Sequence, residues 1–409
     1  LTVLNGFMRK DEQIKIQYAV KYSKIENAYK KWKGEILGLR SSDAAGKRKE
    51  VETSFEKIVL SQPAMNIAYA DLLKKLSLAY KAIEPFGLAR DYYTEIIPRV
   101  EIFGIAENVN TLLNSLQKDD EAKYKNTVAT VSKKLDSIFK EYNAAVDEKL
   151  FEVLMEMYVT DQQTENVSPL LKKLLAEQGG SYAALAKYIY ANTAFTSLAK
   201  VNSFLSAGGQ KSVAGDIAGQ LYADIFKTYA TGITPKLNEL QANINQLQRI
   251  YMQAQMDVFT KKLFYPDANS TLRLTYGNVK GYTARDAVQY NFYTYLDGVM
   301  EKYKPGDYEF DVPQKIIDLY YKKDFGPYGV NGRQPVCFIA ANHTTGGNSG
   351  SPALDAYGNL VGLNFDRVWE GTMSDINYNK DICRNIMVDI RYVLFIVDKF
   401  AGAKNIIAE

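Results

Sequence analysis

The 409-residue chain has one histidine, two cysteines and two tryptophans, and no apolar run near the roughly 20 residues that cross a bilayer as a helix. No membrane span is therefore expected. Cys337 and Cys383 suit neither a disulfide-rich scaffold nor a zinc site. They read as buried thiols, with one disulfide as the alternative, and they leave the compartment open. Excess charge is missing too. A formal net charge of +3 gives no reason to expect nucleic acid or an anionic membrane as partner. The start, Leu1-Thr2-Val3-Leu4-Asn5-Gly6, is neither an initiator methionine nor a signal peptide, so the chain reads as a fragment or a processed product.

What remains is an ordinary globular composition, 46% apolar and 24% charged, long enough for two or more cored domains. The 30 tyrosines are scattered among helical patterns with no basic face between them, as on half-buried helix surfaces. As far as about Lys262 the sequence reads as helix after helix. From Val131 to Met157 apolar residues recur at helical spacing, and Ile14 to Leu39 repeats the pattern up to Arg40-Ser41-Ser42-Asp43. Breaks are expected near Pro63, Pro85-Phe86-Gly87, Pro98, Gly179-Gly180 and Gly208-Gly209, and a capped loop from Asp161 to Pro169. Thr234-Pro235 opens a last long helix towards Phe259. No repeat period and no sustained heptads emerge, so an irregular helical bundle is expected.

The pattern changes near Phe264. Thr271 to Gly277 alternates like a half-buried strand, and helical signal returns around Val299 to Tyr303 and Pro313 to Tyr321. Short strands with turns follow Pro335, and the stretch Met387 to Val397 starts as a strand and ends as a helix. The expected class is α+β. It divides into a helical domain over residues 1–262 covering the active site and a C-terminal β-rich domain over residues 263–409.

The densest chemistry lies in Thr344-Thr345-Gly346-Gly347-Asn348-Ser349-Gly350-Ser351-Pro352, a glycine-rich turn between two strand-like segments. Glycine permits backbone geometry that other residues resist, and it leaves N–H groups free to face a ligand. Gly-Asn-Ser-Gly-Ser-Pro is close to the nucleophile turn of chymotrypsin-like serine peptidases, which makes Ser349 a candidate nucleophile. The N–H groups of Gly347 and Ser349 are candidate oxyanion donors. The base is harder to find. His343 stands six positions before Ser349, whereas in the chymotrypsin arrangement the base is far away in sequence, so a structural or substrate-lining role suits it better. No Gly-Lys-Ser/Thr follows the turn, which argues against a phosphate loop. Asp375, Asp381 and Asp389 are spaced unlike loop calcium ligands. Neither metal nor cofactor is expected.

Cys337-Phe338-Ile339-Ala340-Ala341-Asn342-His343 leading into the turn resembles the bacterial dipeptidyl-peptidases of the seven/eleven type. So do Asn364 to Gly371, Val388 to Phe395 and Phe264 to Ser270, with a weaker likeness around Lys21-Tyr22, Asn27 and Lys30-Lys31-Trp32. The resemblance implies a chymotrypsin-like double β-barrel, here mainly its second barrel, with a large inserted helical domain. It implies Ser349 as nucleophile, with the catalytic histidine and aspartate in an N-terminal portion absent from this chain, which alone would be inactive. It also implies Asp366, and Asn27 from the helical part, as holders of a substrate's terminal ammonium.

The resemblance further implies that Arg367 faces the side chain at the penultimate (P1) position. A guanidinium there pairs with Asp or Glu, whereas the family's glycine accompanies apolar preference. Release of N-terminal dipeptides ending in Asp or Glu is the expected activity. The same resemblance implies a homodimer in the periplasm or at the surface of a Gram-negative bacterium. Read without it, Arg367 would be an arginine pairing with Asp366 or Glu370, and the chain a non-catalytic peptide-binding or structural fragment.

Overall fold

In the computed structural model, residues 1–116, 121–206, 213–264, 270–307 and 309–409 are described. The expected break at Gly208-Gly209 and the stretch 265–269 lie outside them. The chain divides into two compact units, residues 1–25 with 52–264, and residues 26–51 with 265–409. A contiguous division at 262/263 was expected. The observed grouping differs because one helix, α1 (Glu12–Ser41), contributes its first half to one unit and its second half to the other.

The first unit is helical. Its main members are α2 (Leu72–Ile96), α3 (Glu101–Leu116), α4 (Ala144–Thr160), α5 (Tyr182–Asn192), α6 (Ile217–Lys227) and α7 (Thr234–Val258). Ile102, Phe103 and Ile105 of α3 meet Phe151 and Met155 of α4, Leu185 and Ile189 of α5, and Leu221 and Ile225 of α6 in one core. Most of the expected boundaries hold. Ser168 caps the helix beginning at Pro169 by accepting the Leu171 N–H, and Gly179 and Gly180 leave it at positive φ.

Two expectations fail locally. The break foreseen at Pro85-Phe86-Gly87 is absent, because α2 runs through Pro85. Ala79, Ile83, Leu237 and Ile244 form a buried cluster across α2 and α7, and that packing outweighs the lost backbone hydrogen bond. Conversely, the continuous pattern from Val131 to Met157 is two helices. Asn143 interrupts it with an extended backbone and caps α4, its side-chain oxygen accepting the Ala145 and Val146 N–H groups.

Inside this unit Asp147 is fully buried at the start of α3, accepting the N–H groups of Glu101 at 2.7 Å and Ile102 at 3.0 Å. Tyr18 and Lys21 of α1 hold the Glu101 carboxylate, each at 2.7 Å.

The second unit contains a five-stranded antiparallel sheet of order β3-β4-β7-β6-β5 and a two-stranded ribbon, β1-β2. The ribbon strands are β1 (Tyr282–Arg285) and β2 (Val288–Tyr290). The sheet strands are β3 (Tyr293–Tyr295), β4 (Pro335–Ala340), β5 (Pro352–Leu354), β6 (Leu360–Arg367) and β7 (Asn385–Asp389). Between β3 and β4 lie α8 (Leu296–Lys302) and α9 (Gln314–Tyr321). After β7 the chain turns at once into α10 (Ile390–Phe395), with Asp389 as cap, as the strand-then-helix pattern predicts. The architecture is α+β.

The strand expected at Thr271 to Gly277 is not formed. Alternation signals a strand only where a neighbour pairs with it and covers one face. Here Leu272, Leu274 and Tyr276 are exposed, and pairing begins only where the Ala341 N–H reaches the Asn278 carbonyl and the Lys280 N–H reaches that of Ile339. Both cysteines are free thiols. Cys383 is buried as expected, whereas Cys337 is only half-buried.

Burial, aided by the Glu101 charge, pushes the Asp147 carboxyl up to about 7. The folded state thus holds a proton that the unfolded chain releases at an ordinary carboxylate pKa of about 4. This contribution is full below that value and is lost as pH rises through the folded pKa. The urea midpoint should therefore fall between about pH 4 and about pH 7, and Asp147→Asn should flatten that dependence.

Candidate functional site

The turn expected to carry the chemistry joins β4 to β5. Its shape comes from its own sequence. Gly347 and Gly350 sit at φ +100° and +83°, a region closed to most side chains. The Asn348 side chain accepts the Thr345 N–H at 3.0 Å, and the Asn348 carbonyl accepts the Ser351 N–H at 3.0 Å.

A second asparagine holds the turn against the sheet. Asn364 of β6 accepts the Gly350 N–H at 2.7 Å, donates its own N–H to the Ser351 carbonyl at 2.9 Å, and donates its side-chain amide to the Asn348 carbonyl at 3.1 Å. Its side-chain oxygen accepts from Asn385 of β7 at 2.8 Å, and both asparagines are buried. Ser349 is left exposed at the tip. Among the described residues, the N–H groups of Gly347 and Ser349 have no acceptor. Free donors beside a hydroxyl are what an oxyanion site requires.

Ser349 opens onto a cavity of about 440 Å³ lined also by Thr344, Phe365, Asp366, Arg367, Trp369 and, from α1, Asn27, Lys30 and Lys31. Four of the five expected site residues (Ser349, Asp366, Arg367 and Asn27) thus line one space. Gly347, the fifth, lies in the turn beside the lining residue Gly346. Successive side chains of a regular strand face opposite ways, so Phe365, Asp366 and Arg367 could not all reach one cavity. They do because the β6–β7 register shifts between Asn364 and Asp366, a bulge that re-aims the strand's end.

The Asp366 carboxylate accepts the Arg367 N–H at 2.7 Å and is otherwise exposed. The Arg367 guanidinium pairs with neither Asp366 nor Glu370. Its Nη2 donates to Asp375 Oδ2 at 2.8 Å and its Nη1 to Ser374 Oγ at 2.6 Å. Burial would raise the Asp375 carboxyl. Hydrogen bonds from Arg367 and Thr345, with the Arg367 and Lys31 charges, bring it below the usual carboxylate range instead. His343 is exposed and its ring centroid lies 4.7 Å from that of Tyr378. Among the described residues no hydrogen bond joins it to Ser349.

Lys31, Ser374 and Asp375 were not foreseen at the site. Nor was the device that brings α1 to it. Gly34 and Gly38, one helical turn apart, are buried under the Trp369–Asp375 turn. A Cβ on Gly34 would stand 2.4 Å from Thr372 Oγ1, and one on Gly38 2.7 Å from the Met373 sulfur. The spacing Gly-Glu-Ile-Leu-Gly was a signal for close approach, though it named no partner.

A serine turn borne on the sheet thus faces a cavity lined by an arginine, two lysines and a carboxylate. The chain belongs to the peptidase S46 family, whose model matches residues 1–409. It is 46% identical over 413 residues to the Asp/Glu-specific dipeptidyl-peptidase of Flavobacterium psychrophilum, covering all of this chain and 57% of that protein. Identity to the dipeptidyl-peptidase 7 of Phocaeicola vulgatus is 32% over 410 residues, covering all of this chain and 56% of that one. Among solved structures, DPP11 of Porphyromonas endodontalis in complex with the dipeptide Arg-Glu superimposes with a TM-score of 0.85 at 30% identity, covering the whole chain and 58% of its own. The chain therefore spans somewhat over half the length of the relatives it matches.

Filling the glycine face of α1 should damage the second unit first. Gly38→Val should destabilise it by about 1–3 kcal/mol through overpacking against Met373, measured by denaturant unfolding with the fluorescence of Trp32 and Trp369, both in that unit, as probe.

Proposed function

We propose that this chain carries the nucleophile and the specificity residues of a serine exopeptidase that removes N-terminal dipeptides with Asp or Glu at P1. The observation that carries the reading is the single cavity lined by Ser349, Asp366, Arg367 and Asn27. An exopeptidase must measure from a free ammonium to the scissile bond. Asp366, with the Asn27 amide, would hold the ammonium, while Arg367 receives the acidic P1 side chain. Ser349 Oγ then attacks the P1 carbonyl, and the Gly347 and Ser349 N–H groups receive the developing oxyanion.

Family membership does not choose the specificity, since relatives named for Asp/Glu specificity and for dipeptidyl-peptidase 7 both match. Arg367 does, supported by the 46% identity to a relative named Asp/Glu-specific. In this reading the five-stranded sheet is part of a chymotrypsin-like second barrel. The histidine and aspartate of the triad lie in the remaining length of the relatives, His343 being engaged with Tyr378. Loss of the base costs on the order of 10⁶ in turnover in one serine protease, so this chain alone would be inactive. Resemblance to the family supports a homodimeric enzyme of the periplasm or cell surface of a Gram-negative bacterium.

The test uses the protein extended to the length of its relatives. Ser349→Ala should abolish hydrolysis of fluorogenic dipeptides and labelling by a fluorophosphonate. Arg367→Gly should reduce cleavage after Asp or Glu to background. Unchanged acidic cleavage in Arg367→Gly would sink the specificity, and a reactive Ser349→Ala protein would sink the nucleophile.

A further inference from the structure

We infer that Asp375 is the positioning residue of the acidic-P1 pocket, a carboxylate that aims Arg367. The inference rests on the reading of Arg367 given above. Asp375 is not among the residues that line the cavity and meets Arg367 Nη2 at 2.8 Å, so its role in this inference is exerted through Arg367.

The geometry is two-handed. Ser374 and Asp375, neighbours at the end of one short turn, take one hydrogen bond each from the two Nη atoms of Arg367, at 2.6 and 2.8 Å. That uses two of the five guanidinium donors and leaves three for an incoming carboxylate. Arg367 thereby brings the Asp375 carboxyl below the usual carboxylate range. One short turn thus fixes the direction of the P1 cation. With 16% and 27% of their side chains exposed, Arg367 and Asp375 are screened less by solvent than a surface pair.

A free arginine would lose rotamer freedom on meeting substrate, whereas a pinned one has lost it on folding. Arg367 and Asp375 together are neutral, and Lys30 and Lys31 are paired with Glu26 and Glu35, so Arg367 recognises its substrate by shape at close range. Its reach is set by Asp375, and reach separates P1 Asp from P1 Glu, which differ by one methylene.

The test again uses the protein extended to the length of its relatives, with kcat/KM measured on fluorogenic dipeptides ending in Glu, Asp and an apolar residue. Asp375→Asn should lower the Glu-to-apolar preference roughly tenfold, mainly through KM. Asp375→Glu, which keeps the charge on a longer stem, should restore Glu cleavage to within about threefold and shift the Asp-to-Glu preference. Equal losses on all three substrates would assign Asp375 a purely structural role and overturn the inference, as would an Asp375→Glu variant no better than Asp375→Asn. An unchanged preference in Asp375→Asn, with Arg367→Gly inactive on acidic P1, would overturn the pinning alone. Acidic cleavage surviving Arg367→Gly would instead overturn the pocket on which the inference depends.

Discussion

The site depends on how firmly one asparagine holds one turn. Asn364 spends its backbone N–H, its backbone carbonyl and its side-chain amide on the segment Asn348–Ser351, and its remaining oxygen on Asn385. Buried amide pairs of this kind are costly to leave half-satisfied, so the turn has little freedom to relax. Gly347 and Gly350 make that fixed path accessible, and the result is an exposed hydroxyl with two backbone donors beside it. Everything proposed for the chemistry follows from that rigidity, because an oxyanion site works only if its donors are in place beforehand.

Asn364 also stands at the start of the bulge that delivers Asp366 and Arg367. One strand therefore supplies both the brace of the turn and the two charges that face it. In the proposed function this economy has a geometric purpose. A dipeptide is measured between an ammonium site and a P1 pocket, and both measuring residues are adjacent in the chain, separated from the serine by a few hydrogen bonds within one sheet. The Arg367–Asp375 pair adds direction to that frame.

The folding expectations fared according to how local their causes were. Caps and stops such as Ser168 and Gly179-Gly180 were legible because a cap is a bond between near neighbours, whereas Thr234-Pro235 opens its helix uncapped, straight from a π-helical segment over Thr228–Ile233. Pro85 misled because packing of α2 against α7 overrides a local defect, and Asn143 was missed because the apolar period continues across it. Leu272, Leu274 and Tyr276 show the opposite failure. Their alternation is that of a strand, yet pairing is a property of two segments, and here it starts only at Asn278.

By itself the sequence determined the glycine-rich turn with its serine, the adjacency of Asp366 and Arg367, and the succession of helices before strands. Each of these is written in contiguous residues, whose geometry short-range sterics and hydrogen bonding largely settle. The tertiary structure decided which distant groups join them. Asn27 and Lys31 reach the cavity because Gly34 and Gly38 let α1 press against the Trp369–Asp375 turn, an approach sealed by a hydrogen bond between Ser42 and Asn377, 335 positions apart. Arg367 could have met Asp366, Glu370 or Asp375, and nothing in its spacing distinguishes them. The choice fell to Asp375 because the path of the backbone after β6, and not distance along the chain, places that carboxylate and Ser374 at the two ends of the guanidinium.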